Sequence, residues 1–371
     1  MKDFLIILAA FALSIAMPNA TLSQEDYSAP DDQLSAHVIN FSLNNGFLIP
    51  HYGLMDYYLE DKTLGIRLSI EKVLKGGWSN SFSYVTRGVE IYRTSLGNNE
   101  ILGHSTHIIG FRNLGIHSHG KGRLKFGAGV ALITEKSDLE KNIKNVNIGS
   151  SLNGAISFEY NYSMDLKRGF SLSPSVKFTH YSNGSYKLPN LGLNLLSAGL
   201  SLKKKILSES AIAEVKSKPT EKQRLQVGLS IGRNQLNDPE SEILNNYNLS
   251  LHYINTSLSK FIFGLGTDIH YSQSYRNYYQ INSLENKSLD FIETNRAGLT
   301  GIVGISLGAT EIHGNIGYYI HDLQKIDGSL YQRIYVLTSL GKGFRMKFSL
   351  KAHKARAETF ELGITKDLWK K

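Results

Sequence analysis

The chain has 371 residues and no cysteine, which excludes disulfides, thiolate metal sites and a lipidated cysteine anchor. Its formal charge of +9 and pI of about 9.3 come from dispersed basic residues, which suits an anionic membrane surface better than nucleic acid. Mean hydropathy is only −0.21, yet 20 Tyr, 16 Phe and 34 Gly stand against 7 Pro. An antiparallel transmembrane β-barrel reconciles these facts, because alternation halves apparent hydropathy and aromatic girdles mark the interfaces.

Taken in order, residues 1–20 resemble a secretory signal peptide. Lys2 precedes an apolar run from Phe4 to Met17, with cleavage expected near Ala20. That run is too short to span a bilayer. Residues 21–35 are polar and are expected to be a flexible N-terminal segment. Strand candidates then follow near 36–49, 62–74, 80–94, 102–113, 121–134, 149–164, 169–182 and 191–206. A second set lies near 222–234, 246–256, 260–273, 293–307, 310–321, 330–341, 343–354 and 358–369. The connections 50–61, 135–148, 235–245 and 274–292 are long. Asp165–Arg168, Ala309-Thr310 and Gly341–Gly343 are tight, and this difference places the long loops outside the cell and the turns in the periplasm.

Residues 207–221 are charged, contain Pro219 and separate the two sets. They are expected to be a periplasmic turn or linker between a half at 36–206 and a C-terminal β-strand half at 222–371. One barrel of about 14–16 strands is favoured, with two eight-stranded units as the alternative. Phe344, Met346, Phe348 and Leu350 alternate with Arg345, Lys347, Ser349 and Lys351. Such charges suit a lumen, although the solvated outer face of a soluble β-sandwich would present the same pattern.

The residues that carry chemistry lie between Phe170 and Leu202. Leu172, Pro174, Val176 and Phe178 form one apolar parity, and His180 and Ser182 continue it. Leu196, Ala198, Leu200 and Leu202 form the apolar parity of the returning strand, which Asn190 and Asn194 share. Polar groups on a lipid-facing surface are costly and therefore candidates for function. Same-face neighbours in a strand are about 6.6 Å apart, within reach of an imidazole and a hydroxyl. His180 can take the proton of Ser182 and make it an acyl-group nucleophile. Asn194 can fix the imidazole tautomer from the next strand. Asn190 can donate to a tetrahedral oxyanion, and Gly184, following Asn183, frees the loop backbone to do the same.

His180-Tyr181-Ser182-Asn183-Gly184 with Pro189-Asn190-Leu191-Gly192 resembles the lipid A 3-O-deacylase (PagL-type) outer-membrane family. The close match covers about 30 residues, and a looser barrel pattern covers roughly 36–206. The resemblance implies an outer-membrane barrel that removes an ester-linked acyl chain from lipid A. It implies His180 as base, Ser182 as nucleophile and Asn190 as oxyanion donor. The family is usually a small eight-stranded barrel, so the second half is an excess. It also typically carries a glutamate where this chain has Asn194. Outer-membrane phospholipase A, a calcium-dependent dimeric family, looks similar at the same motif and has asparagine at that offset.

The expectations are therefore a serine esterase of the Gram-negative outer membrane, without cofactor, with calcium only under the phospholipase alternative. Its substrate is lipid A or phospholipid in the outer leaflet, a second copy of the chain is a candidate partner, and nucleic acid is not. A non-catalytic, porin-like barrel is the competing function. No metal site is expected: His117-Ser118-His119 and His104-Ser105 lack a carboxylate partner. Tyr57, Tyr58, Tyr278 and Tyr279 suit interfacial anchors. Lys187 is expected to be a solvated loop residue, with a lipid A phosphate as its lesser use.

Overall fold

The computed structural model describes residues 34–74, 82–116, 120–211, 222–236, 239–256, 261–282, 294–323, 325, 327–354 and 356–371. The expected signal peptide and most of residues 21–35 and 207–221 lie outside them. Two compact units result, one of residues 34–183 with 191–211, the other of residues 184–190 with 222–371.

The first unit contains β1 (Leu34–Leu48), β2 (Thr63–Val73), β3 (Val85–Ser95), β4 (His104–Gly115), β5 (Gly122–Ile133) and β6 (Leu152–Tyr162). It continues with the short β7 (Met164–Asp165), β8 (Phe170–Ser182) and β9 (Leu193–Ala211). Neighbours pair antiparallel from β1 to β6; β6 pairs with β8, β8 with β9, and β9 returns to β1. Eight strands therefore close a ring, with β7 attached to β8.

The second unit contains β10 (Gln223–Asn234), β11 (Leu244–Asn255), β12 (Phe261–Ser272), β13 (Asn295–Leu307), β14 (Thr310–His321), β15 (Leu330–Gly341), β16 (Phe344–His353) and β17 (Arg356–Lys370). These eight form their own closed barrel, in which β17 returns to β10. The expectation of one barrel of about 14–16 strands is thus overturned, and the alternative of two eight-stranded units holds. The decisive pairings join strands far apart in sequence, Phe41 with Leu202 and Leu229 with Ile364. The helix α1 (Gln273–Asn282) occupies part of a stretch expected to be loop.

Both barrels are turned inside out relative to a water-soluble protein. Along β2, Leu64, Ile66, Leu68 and Ile70 are exposed, while Arg67, Ser69 and Glu71 are buried. Along β16, Lys347, Ser349 and Lys351 are buried in the lumen. An outward hydrocarbon surface on every strand with polar groups enclosed is the pattern of a membrane-spanning barrel. Among the described residues, no helix is long and apolar enough to cross a membrane.

Eight strands leave an interior that side chains fill. In the first lumen Glu90 accepts from Lys125 and Lys177, and Arg67 pairs with Glu159. In the second, Arg333 pairs with Glu361 and reaches Asp268 at 3.1 Å. Loops close one end of the first barrel around Met55, Tyr58, Leu102 and Ile148, which pack with Tyr181, Leu193 and Leu195. The chemically interesting end of β8 is therefore built on a packed floor.

Candidate active site

Strand β8 separates its two faces cleanly. Ser173, Ser175, Lys177, Thr179 and Tyr181 are buried in the lumen, whereas Pro174 and Val176 are exposed on the outer side. His180 and Ser182 share the outer parity; His180 is half-buried and Ser182 buried. Tyr181, between them, points inward. Its hydroxyl donates to His107 Nδ1 at 3.1 Å, and His107 Nε2–H donates to Glu90 at 3.1 Å. The lumen network thus fixes the strand from inside at the residue separating the histidine and the serine.

The β8–β9 register makes His180 the direct partner of Asn194. His180 Nδ1 lies 2.7 Å from Asn194 Oδ1. An amide oxygen only accepts, so the proton sits on Nδ1 and Nε2 keeps its lone pair. That is the tautomer a general base needs.

Gly192 fits against the same ring. Its φ is +79°, and a Cβ there would come within 2.8 Å of His180 Cε1. The Gly192 N–H donates to the Asn147 carbonyl at 3.1 Å. Asn147 itself bonds the Tyr58 hydroxyl, and its N–H donates to Asn145 Oδ1 at 3.2 Å. An asparagine-rich loop therefore holds the backbone that confines the imidazole.

The other candidates are distributed as follows. Asn183 is buried and donates to Ser150 Oγ at 2.9 Å. Gly184, with φ +62°, and Asn190 belong to the segment grouped with the second unit. There Ser185 Oγ donates to the Ala357 carbonyl at 2.6 Å and Lys187 Nζ to the Pro239 carbonyl at 2.8 Å. Lys187 is thus held by backbone and half-buried. Tyr57 is 86% exposed, but Tyr58 is buried in the loop core. Tyr278 and Tyr279 lie half-buried on α1. His104 opens β4, its N–H donating to Thr134 Oγ1 at 2.9 Å; residues 117–119 lie outside the described residues.

One residue escaped the sequence reading. His51 Nδ1 lies 3.3 Å from Asn194 Nδ2, and His51 Nε2 lies 3.0 Å from the Leu191 carbonyl. Nothing in a loop histidine 143 positions before Asn194 announces this contact. It exists because β1 closes onto β9 and continues past it, with Ile49 N–H donating to the Asn194 carbonyl at 2.8 Å.

A membrane-spanning β-barrel thus carries a histidine–asparagine pair on its outward face, with Ser182 two residues further along the same parity of β8. Residues 64–203 match the family model described as lipid A 3-O-deacylase (PagL), and residues 223–368 match that described as acyloxyacyl hydrolase, C-terminal domain. The two matches span most of the chain, one in each barrel, and the protein belongs to the PagL-type lipid A deacylase family, a family of hydrolases. The second half, an excess over a single small barrel, thus corresponds to a family domain of its own.

No curated protein matches the chain. Among solved structures it is similar to a mutant of Rh. blastica porin, at 12% identity over 90% of this chain and 99% of that one, with a TM-score of 0.18. KdgM porin matches at 7% over 89% and 99%, with a TM-score of 0.19. The COG4313 outer membrane channel from Pseudomonas putida F1 matches at 9% over 94% and 100%, with a TM-score of 0.20. The architecture rests on the strand pairing itself.

Proposed function

We propose that the protein is a serine esterase of the Gram-negative outer membrane that hydrolyses an ester-linked acyl chain of lipid A. The observation that carries this reading is the 2.7 Å contact between His180 Nδ1 and Asn194 Oδ1, made on the outer face of the barrel. A base aimed at the bilayer acts on a molecule that resides there. Family membership supplies the substrate class.

Ser182 Oγ attacks the ester carbonyl carbon while His180 Nε2 takes its proton. The tetrahedral intermediate collapses, the sugar oxygen leaves with the proton held by His180, and the acyl group remains on Ser182. Water then attacks the acyl-enzyme, again deprotonated by His180, and releases the fatty acid with Ser182 restored. Asn194 orients the imidazole throughout. Asn190, Asn183 and Gly184 are assigned to the oxyanion on the sequence motif alone.

Buried Arg67, Lys177, Arg333, Lys347 and Lys351 occupy the lumens, which supports a hydrolase over a solute-conducting barrel. The amide at position 194 favours a second reading, a calcium-dependent outer-membrane phospholipase A. Purified protein presented with lipid A and with phospholipid, with and without EDTA, separates the two. The proposal expects fatty acid release from lipid A that EDTA leaves unchanged. Preference for phospholipid with loss on chelation would replace it with the second reading.

A further inference from the structure

The pair His180–Asn194 has a weakness that a histidine–carboxylate pair lacks. A carboxylate presents an acceptor whichever way it is turned, whereas an amide reversed by 180° presents a donor. A donor facing His180 Nδ1 selects the opposite tautomer, with the proton on Nε2, and abolishes the base. Something must therefore fix which end of Asn194 faces His180.

We infer that His51 is that group, a positioning residue that locks the Asn194 amide and through it the tautomer of His180; this rests on the hydrolase reading given above. The hydrogen-bond chain has one consistent assignment. The Leu191 carbonyl only accepts, so at 3.0 Å it fixes the proton of His51 on Nε2. His51 Nδ1 of the neutral ring is then an acceptor, and it receives the Asn194 Nδ2–H at 3.3 Å. Asn194 is left with its oxygen toward His180 Nδ1 at 2.7 Å, and His180 is left with Nε2 free. A third contact, of His51 Nδ1 with the Ile49 carbonyl at 3.4 Å, is longer and needs a second proton on the ring.

The supports of this chain are all backbone or strand register. Leu191 immediately precedes the glycine confined against His180, and Ile49 extends the β1–β9 ladder at Asn194. His51 is exposed and lies outside both the packed loop core and the lumen network. Its replacement therefore removes the orienting acceptor without opening a cavity.

The test is a double-mutant cycle of His51→Ala with Asn194→Asp, measured on lipid A and accompanied by the imidazole N–H NMR spectrum. His51→Ala alone should lower kcat roughly ten- to one-hundred-fold, the range for loss of a residue that orients a ligating or catalytic group, with KM little changed. His51→Asn, which places an acceptor oxygen near the former Nδ1, should recover most of that loss. In the Asn194→Asp background the orientation problem disappears, and His51→Ala should cost less than about three-fold. The His180 Nδ1–H resonance of the unmodified protein should weaken in His51→Ala and persist in His51→Asn.

Equal losses in the two backgrounds, no loss in either, or an unaltered His180 resonance in His51→Ala would overturn the inference. A Ser182→Ala control separates this from failure of the hydrolase reading. Activity that survives Ser182→Ala sinks that reading, while the NMR arm still decides the role of His51.

Discussion

Gly192 and His180 are in contact so close that any side chain added at position 192 would press on the imidazole. An added Cβ would lie 2.8 Å from Cε1 and 3.3 Å from Nε2 of the imidazole, the nitrogen assigned to proton transfer. The glycine also holds φ at +79°, which an L side chain adopts only with strain. Sterics and conformation thus act on one residue, and both bear on the proposed base.

Gly192→Ala should therefore displace the imidazole while leaving the barrel closed. A shift of about 1 Å in a reacting group can cost a hundred-fold in rate. We expect a fall of about that size in kcat on lipid A, with the heat-modifiable electrophoretic mobility of the folded barrel retained. A variant with normal kcat would show that the ring is not confined by this contact.

Leu68 tests the orientation of the barrel surface. It is 55% exposed midway along β2, a position where charge would be harmless in water. In a bilayer, a lysine near the midplane of a barrel's outer face costs about 2–4 kcal/mol. Leu68→Lys should lower folding stability in lipid vesicles by that amount, measured by urea titration. A change near zero would contradict a lipid-facing position.

Glu90 tests the lumen. It takes Lys125 and Lys177 directly, His107 at 3.1 Å and Arg67 at 3.7 Å, all buried. Removing its charge leaves Lys125 and Lys177 enclosed without their direct counter-ion, a loss of about 3–5 kcal/mol for a broken buried pair. Glu90→Gln should lower the unfolding free energy by that order. Glu100→Gln, at an exposed loop residue, should change it by less than about 0.5 kcal/mol. Because Glu90 also anchors Tyr181 through His107, the same variant should lose activity before it loses its fold.

The strands were legible because period-two alternation is local: Phe178 and His180 declare the outer face of β8 from their neighbours alone. The His180–Asn194 pairing was legible for the same reason, since a hairpin fixes its own register. The number of barrels was not. Alternation is identical in one ring or two, and closure depends on pairings such as Phe41 with Leu202. His51 was hidden by that same long-range closure. The helix Gln273–Asn282 was hidden because its helical-period face rests on Tyr275, Tyr278 and Tyr279 in a short and otherwise mostly polar stretch.

Mass spectrometry of lipid A from cells expressing the intact protein or its Ser182→Ala variant, at equal levels in the outer membrane, decides whether Ser182 carries the hydrolysis. Lipid A should be shortened by one ester-linked acyl chain with the intact protein and remain full-length with the variant. The shortened species at equal abundance in both would contradict that role.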